Sequence, residues 1–213
     1  MLSKIKSFVA FVLVVLLTPC SWAGTSFLDG VEYTSLKNPV RSSEPVIEFF
    51  SFYCGPCYLF RNTYHVDSTV AQSLPVGTKL VKYHVGLMGK LGNELTEAWS
   101  VAMLLGIEDK MEDILFNELQ KERALNTLDD IKRAFSYAGV TSLQYENTRK
   151  SLLVKGLIAK QNEAVKALDV QATPAFYVLG KYKIENAGIT DKSVEGYAKE
   201  YTAVIDYLLS AKP

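Results

Sequence analysis

Two cysteines three positions apart, Cys54 and Cys57, enclose Gly55-Pro56. A Cys-x-x-Cys pair can hold a reversible disulfide, supply half of a metal site or close a small structural ring. The flanking residues discriminate among these. Phe49-Phe50-Ser51-Phe52-Tyr53 arrives at the first cysteine as a largely apolar run, and Tyr58-Leu59-Phe60 leaves the second with helical character. Cys54 therefore falls where a buried strand gives way to a helix, beside free backbone N–H groups and the positive end of the helix dipole. That setting favours the thiolate, which is both the nucleophile and the better leaving group of disulfide exchange. Cys57, one turn in, is expected to be the more buried, resolving thiol. A ring this small does little as a staple. A closed zinc site wants four well-placed ligands, and only His65 and His84 remain as further soft ligands. Redox chemistry at a Cys54–Cys57 disulfide is the expectation, with no metal and no cofactor.

Other residues stand out around this pair. Glu48 and Lys82 are charges inside otherwise apolar strands. Glu48 shares side-chain parity with Cys54, so the two are expected on the same side of the sheet. A buried acid and lysine near the thiols could pair and tune the thiolate; the competing reading makes each an edge residue in solvent. Thr173-Pro174 precedes a β-prone stretch, where a proline fits only by opening the strand. His65 reads as a packed helix histidine rather than a general base. Tyr58, Phe60 and Tyr64 read as core and groove lining.

The elements that must position these residues follow from periodicity. Gly30 to Thr34 alternates as a strand, and Val46 to Phe52 is apolar on both faces, as in the middle of a covered sheet. A helix is expected from Cys57 to about Ser73, then a strand over Lys79–Val85. Some eighty residues without a strand follow, with apolar stripes at Leu95, Ala98, Trp99, Ala102 and at Met111, Ile114, Leu115. Thr127-Leu128-Asp129-Asp130 resembles a capping box, and Tyr145 to about Leu168 is helix-prone with Gly156 as a candidate break. Strand character returns at Ala175–Leu179. Gly180-Lys181 reads as a two-residue hairpin turn into Tyr182-Lys183-Ile184, and an amphipathic helix starting at Thr190-Asp191 closes the chain. Two sheet-forming halves thus flank a helical insertion.

The chain has 213 residues, 48% hydrophobic and 22% charged, with 23 basic and 23 acidic residues, so nothing suggests a nucleic-acid partner. Lys4 and Lys6, the apolar run Phe8–Leu17 and the small-x-small end Ser21-Trp22-Ala23 read as a signal peptide over 1–23, cleaved near Ala23-Gly24. A lipoprotein anchored at Cys20 is the competing reading. Cleavage would remove Cys20 and leave Cys54 and Cys57 as the sole pair, in an oxidising compartment.

The strand Glu48-Phe49-Phe50-Ser51-Phe52, the strand Lys82-Tyr83-His84-Val85, the helix from Leu95-Thr96-Glu97-Ala98-Trp99 to Met103, and Pro174-Ala175 with Gly180-Lys181-Tyr182 together resemble the DsbA family of periplasmic thiol:disulfide oxidoreductases. The resemblance covers nearly the whole chain after the leader. It implies an α/β thioredoxin fold with an inserted all-helical domain: residues 24–85 and 163–213 thioredoxin-like, 86–162 the insertion. It implies that Cys54 is the attacking and attacked sulfur and Cys57 its partner. Pro174 would be cis and line a substrate groove with Thr173, and Glu48 and Lys82 would be the family's buried charged pair. Reduced exported proteins become the clients, a DsbB-type membrane quinone reductase the reoxidant, and the protein a periplasmic monomer. Between the cysteines the family's best-known member has Pro-His, whereas Gly55-Pro56 is the thioredoxin pair. The acidic residues that follow the motif there are Arg61 and Asn62 here. The chain is thus similar to an accessory paralogue, and a reductase or isomerase remains open beside the oxidase. So does a peptide-holding or metal-binding carrier.

Overall fold

The computed structural model describes residues 26–210, so the leader expected over 1–23 lies outside it. A five-stranded sheet has the order β1-β5-β4-β2-β3. Its strands are β1 (Tyr33–Ser35), β2 (Val46–Phe50), β3 (Leu80–His84), β4 (Ala175–Val178) and β5 (Tyr182–Ile184). β2 and β3 run parallel and the other neighbours antiparallel. All five residues of β2 are buried, because β3 and β4 flank it and both its faces are covered. Val46 faces the helix α8 (Val194–Ser210), while Ile47 and Phe49 face Ala164, Val165 and Leu168.

The helix expected from Cys57 to Ser73 is two. α1 (Gly55–Asn62) ends where Thr63 and Tyr64 both donate to the Leu59 carbonyl, and His65 turns the chain at φ 53 into α2 (Val66–Ser73). The break lets Phe60, Val66 and Val70 all reach one core. His65 is exposed at this corner, so its reading as a packed helix residue does not hold.

The strandless block comprises α3 (Gly92–Leu105), α4 (Glu108–Phe116), a π-helical turn (Asn117–Lys121), α5 (Leu128–Tyr137), α6 (Ser142–Arg149) and α7 (Leu152–Ala167). The capping box is present: Asp130 N donates to Thr127 Oγ1, and the Asp130 carboxylate accepts from Thr127 N. The break in the last stretch falls at Lys150-Ser151, not at Gly156, because the Ser151 hydroxyl caps α7 by accepting from Val154 N. The β4–β5 turn is centred on Leu179-Gly180, one residue earlier than the sequence suggested. Both have positive φ, and Lys181 N donates to Val178 O across them.

Candidate active site

Cys54 and Cys57 are joined in a disulfide, with Cα atoms 5.2 Å apart. Cys54 is the N-cap of α1: its backbone is extended (φ −86°, ψ 110°) and Cys57 N donates to its Sγ at 3.1 Å. A helix that begins this way aims its first free N–H groups at the capping atom, and here that atom is sulfur. Exposure does not separate the two cysteines as expected, at 3% for Cys54 and 2% for Cys57. Position does: only Cys54 sits at the cap. Gly55 and Pro56 are exposed above them.

The Thr173–Pro174 peptide is cis and opens β4, and Thr173 O lies 3.3 Å from Cys54 Sγ. Met88, on the loop between β3 and α3, places its sulfur 3.9 Å from the Thr173 hydroxyl, and Leu87 beside it is exposed. Cys54, Cys57, Thr173 and Pro174, singled out separately in the sequence, converge here.

The turn into Cys54 is held by side chains from elsewhere. Phe52 N donates to His84 Nε2 at 3.2 Å, and Phe52 O accepts from Gln120 Nε2 at 2.7 Å. His84 Nε2 must therefore be the acceptor, leaving its Nδ1–H to donate to Thr96 Oγ1 at 2.8 Å. Gln161, fully buried, accepts from His84 N and donates to the Ser100 hydroxyl. Burial pushes the His84 imidazole down to about 3, so it stays neutral.

Glu48 and Lys82 are register partners on β2 and β3, with Lys82 Nζ 3.1 Å from Glu48 Oε2. They are not a simple pair. Lys82 Nζ also meets Asp67 at 2.8 Å and Glu112 at 2.5 Å. Arg61 of α1 adds Asp67 at 3.1 Å, Asp113 at 2.9 Å and Glu112 at 3.8 Å. Buried Glu48, Asp67 and Glu112 thus surround Lys82, and Arg61 adds a second cation to Asp67 and Glu112; all but Glu48 line a groove of about 690 Å³. Burial pushes the Glu48 carboxyl up to about 8: Lys82 pulls against this, and the charges of Asp67 and Glu112 reinforce it. Its Oε2 has ion-pair distance to Lys82 but no hydrogen-bond geometry. Burial would raise Asp67 too, but Lys82 and Arg61 hold it below the usual carboxylate range. Lys82 stays charged because its three carboxylates outweigh its own burial.

Sequence reasoning missed Asp67, Glu112 and Gln120, and treated Arg61 only as a departure. Glu112 is buried among the apolar Met111, Leu115 and Phe116 of α4. Among the described residues no group of three or more His, Cys, Asp or Glu could hold a metal ion, and no helix is long and apolar enough to cross a membrane.

A thioredoxin-type sheet, a disulfide capping the helix after its buried interior strand β2 and a helical insertion define a thioredoxin-fold dithiol–disulfide oxidoreductase. Residues 45–201 match the family described as DSBA-like thioredoxin domain, and the chain belongs to that family. It is 40% identical over 202 residues to the thiol:disulfide interchange protein DsbA of Pectobacterium carotovorum, covering 95% of this chain and 98% of that one. The crystal structure of DsbA from Klebsiella pneumoniae superposes with a TM-score of 0.85 at 41% identity, over 88% of this chain and all of that one. Proteus mirabilis DsbA, solved with a non-covalently bound peptide PWATCDS, gives the same score, identity and coverage.

Proposed function

We propose that the chain works as a disulfide oxidase of exported proteins, with Cys54–Cys57 as its redox centre. A client thiolate attacks Cys54 Sγ, the Cys54–Cys57 bond breaks, and Cys57 leaves as a thiolate. A second client thiolate then attacks the client sulfur of the mixed disulfide, and Cys54 leaves. Two electrons and two protons pass from the client dithiol to the enzyme. The observation that carries this reading is the Cys57 N–H donated to Cys54 Sγ at 3.1 Å. A charge-assisted bond of that kind is worth about 1.5–3 kcal/mol and stabilises the departing Cys54 thiolate, which drives transfer toward the client.

Thr173 and Pro174 line the client groove in this reading, in keeping with a cysteine peptide bound by the Proteus relative. Glu48 and Lys82, with Gly55 and Pro56, tune the thiolate. Residues 24–85 and 163–213 form the thioredoxin-like unit and 86–162 the insertion. The mature protein is a periplasmic monomer released near Ala23-Gly24, and a DsbB-type membrane quinone reductase reoxidises it. A second reading, a reductase or isomerase, is favoured by Gly55-Pro56.

A glutathione-buffered redox titration, run with a Cys54 pKa measurement, separates the two. An oxidase should show a potential well above about −200 mV, the range of glutathione-poised oxidoreductases, and a Cys54 pKa below about 6. A potential near about −270 mV with a pKa near 7, as in reducing thioredoxins, would reverse the assignment.

A further inference from the structure

We propose that Asn186 is a positioning residue of the client groove, fixing the direction of the Pro174 carbonyl and through it the Thr173 peptide beside Cys54. The inference rests on the groove reading of Thr173-Pro174 and adds the residue that sets its geometry.

Pro174 lies just outside the sheet, since the last β2–β4 register pair is Phe49 with Ala175. Its carbonyl has no strand partner and instead accepts from Asn186 Nδ2 at 2.9 Å. Asn186 is itself held. Its Oδ1 accepts from the Tyr201 hydroxyl at 3.0 Å, and its backbone carbonyl accepts from the Tyr197 hydroxyl at 3.3 Å. Both tyrosines are on α8 and pack their rings against Phe60 of α1, at 5.7 Å between centroids in each case. The turn that carries Asn186 is wedged in place: a Cβ on Gly188 would lie 2.0 Å from Val31 O.

The Thr173 peptide hangs from this point. A proline ring locks φ, and the peptide bond itself does not rotate freely. The soft torsion between the Thr173–Pro174 unit and β4 is therefore ψ of Pro174, and ψ is what the direction of the Pro174 carbonyl measures. A donor fixed on that carbonyl fixes ψ, and with it the Thr173 carbonyl 3.3 Å from Cys54 Sγ. Orientation errors of this kind act on the approach of an extended client, not on the sulfur chemistry itself.

The test compares two reductants of the oxidised enzyme. One is the reduced peptide PWATCDS, two thiols of which give one peptide disulfide. The other is dithiothreitol, which closes to its own cyclic disulfide and needs no groove. Asn186→Ala should slow the peptide reaction about five- to ten-fold, the size of one lost hydrogen bond, and leave the dithiothreitol rate unchanged. Asn186→Asp is isosteric, keeps the acceptor for Tyr201 and removes the donor, so it should be at least as slow with peptide. A merely structural role would leave Asn186→Asp like the parent, or slow both reductants together, and either result overturns the proposal. Pro174→Ala serves as the groove control. If it slows the peptide reaction while both Asn186 variants match the parent, the groove stands and the role of Asn186 falls. If Pro174→Ala also matches the parent with peptide, the groove reading fails and takes the proposal with it.

Discussion

The exposed dipeptide between the cysteines offers a sharp test of what sets the thiolate. The perturbation is the double substitution Gly55→Pro, Pro56→His. The backbone accepts it. Cys54 at φ −86°, ψ 110° already has the extended conformation a following proline demands. Gly55 is the first residue of α1, where proline is well suited, and a Cβ there meets nothing within 4 Å. The new histidine would stand in solvent beside the capping sulfur. At a separation of about 6 Å and an effective dielectric of about 40, an imidazolium and a thiolate attract by about 1.4 kcal/mol. That equals about one unit of Cys54 pKa and about 30 mV toward oxidant. The assay is the ultraviolet absorbance of the thiolate against pH, paired with a glutathione-buffered titration; Gly55→Pro, Pro56→Gln controls for shape. The gain should shrink markedly at 1 M salt, where the Debye length is about 3 Å. A Cys54 pKa unchanged to within about 0.3 units would refute the reasoning. It would leave the N-cap hydrogen bond and the buried charges as what sets the potential.

Further outcomes follow from the same site. Cys57→Ala should trap clients as mixed disulfides through Cys54, seen as reducible adducts on gels, and Cys54→Ala should not; equal trapping would reverse the assigned roles. Burial holds the folded-state Glu48 carboxyl well above the 4.5 of an unperturbed side chain. The folded state therefore keeps the proton longer, so the Glu48 contribution to stability is fully present below about pH 4.5 and declines as pH rises above it. Glu48→Gln should raise stability near pH 8 by on the order of 2 kcal/mol and leave it nearly unchanged at pH 4. Thermal unfolding at both pH values checks this, and a variant less stable at pH 8 would refute it. Arg61→Gln removes the second cation from buried Asp67 and Glu112 and should cost about 2 kcal/mol in urea unfolding; a loss under about 0.5 kcal/mol would show that the α1–α4 bridge contributes little. The His84 ring should show no titration by NMR between pH 5 and 8, as a buried neutral acceptor requires.

The fold was legible where a local signal sufficed. The apolar run into Cys54 gave the fully buried strand β2, the Thr127–Asp130 box gave a helix start, and a strandless eighty residues gave the insertion. Helix breaks were not legible where tertiary packing decides them: nothing local in Tyr64-His65-Val66 demands a left-handed residue, yet one core must receive Phe60, Val66 and Val70. The cysteines and Thr173-Pro174 could be named from sequence because their types are rare and their spacing is meaningful. The charge network could be seen only at Glu48 and Lys82, where a charge interrupts an apolar strand. Asp67 and Glu112 lie on amphipathic helices, where an acid is ordinary and only the three-dimensional register shows that it points inward.

Phe52 carries a last consequence. Its N–H donates to the side chain of His84 and its carbonyl accepts from the side chain of Gln120. Gln120 belongs to the strandless block, and His84 is oriented by Thr96 and Gln161, which belong to it as well. Modularity therefore stops at this residue. A minimal version trimmed to the sheet and its flanking helices would orphan buried polar groups one residue before the Tyr53–Cys54 bond. A transplanted insertion would have to bring its own glutamine to the right carbonyl. The helical block is a mounting bracket for the redox turn, and engineering that exchanges such blocks among relatives must match Phe52, His84, Gln120 and Gln161 as one unit.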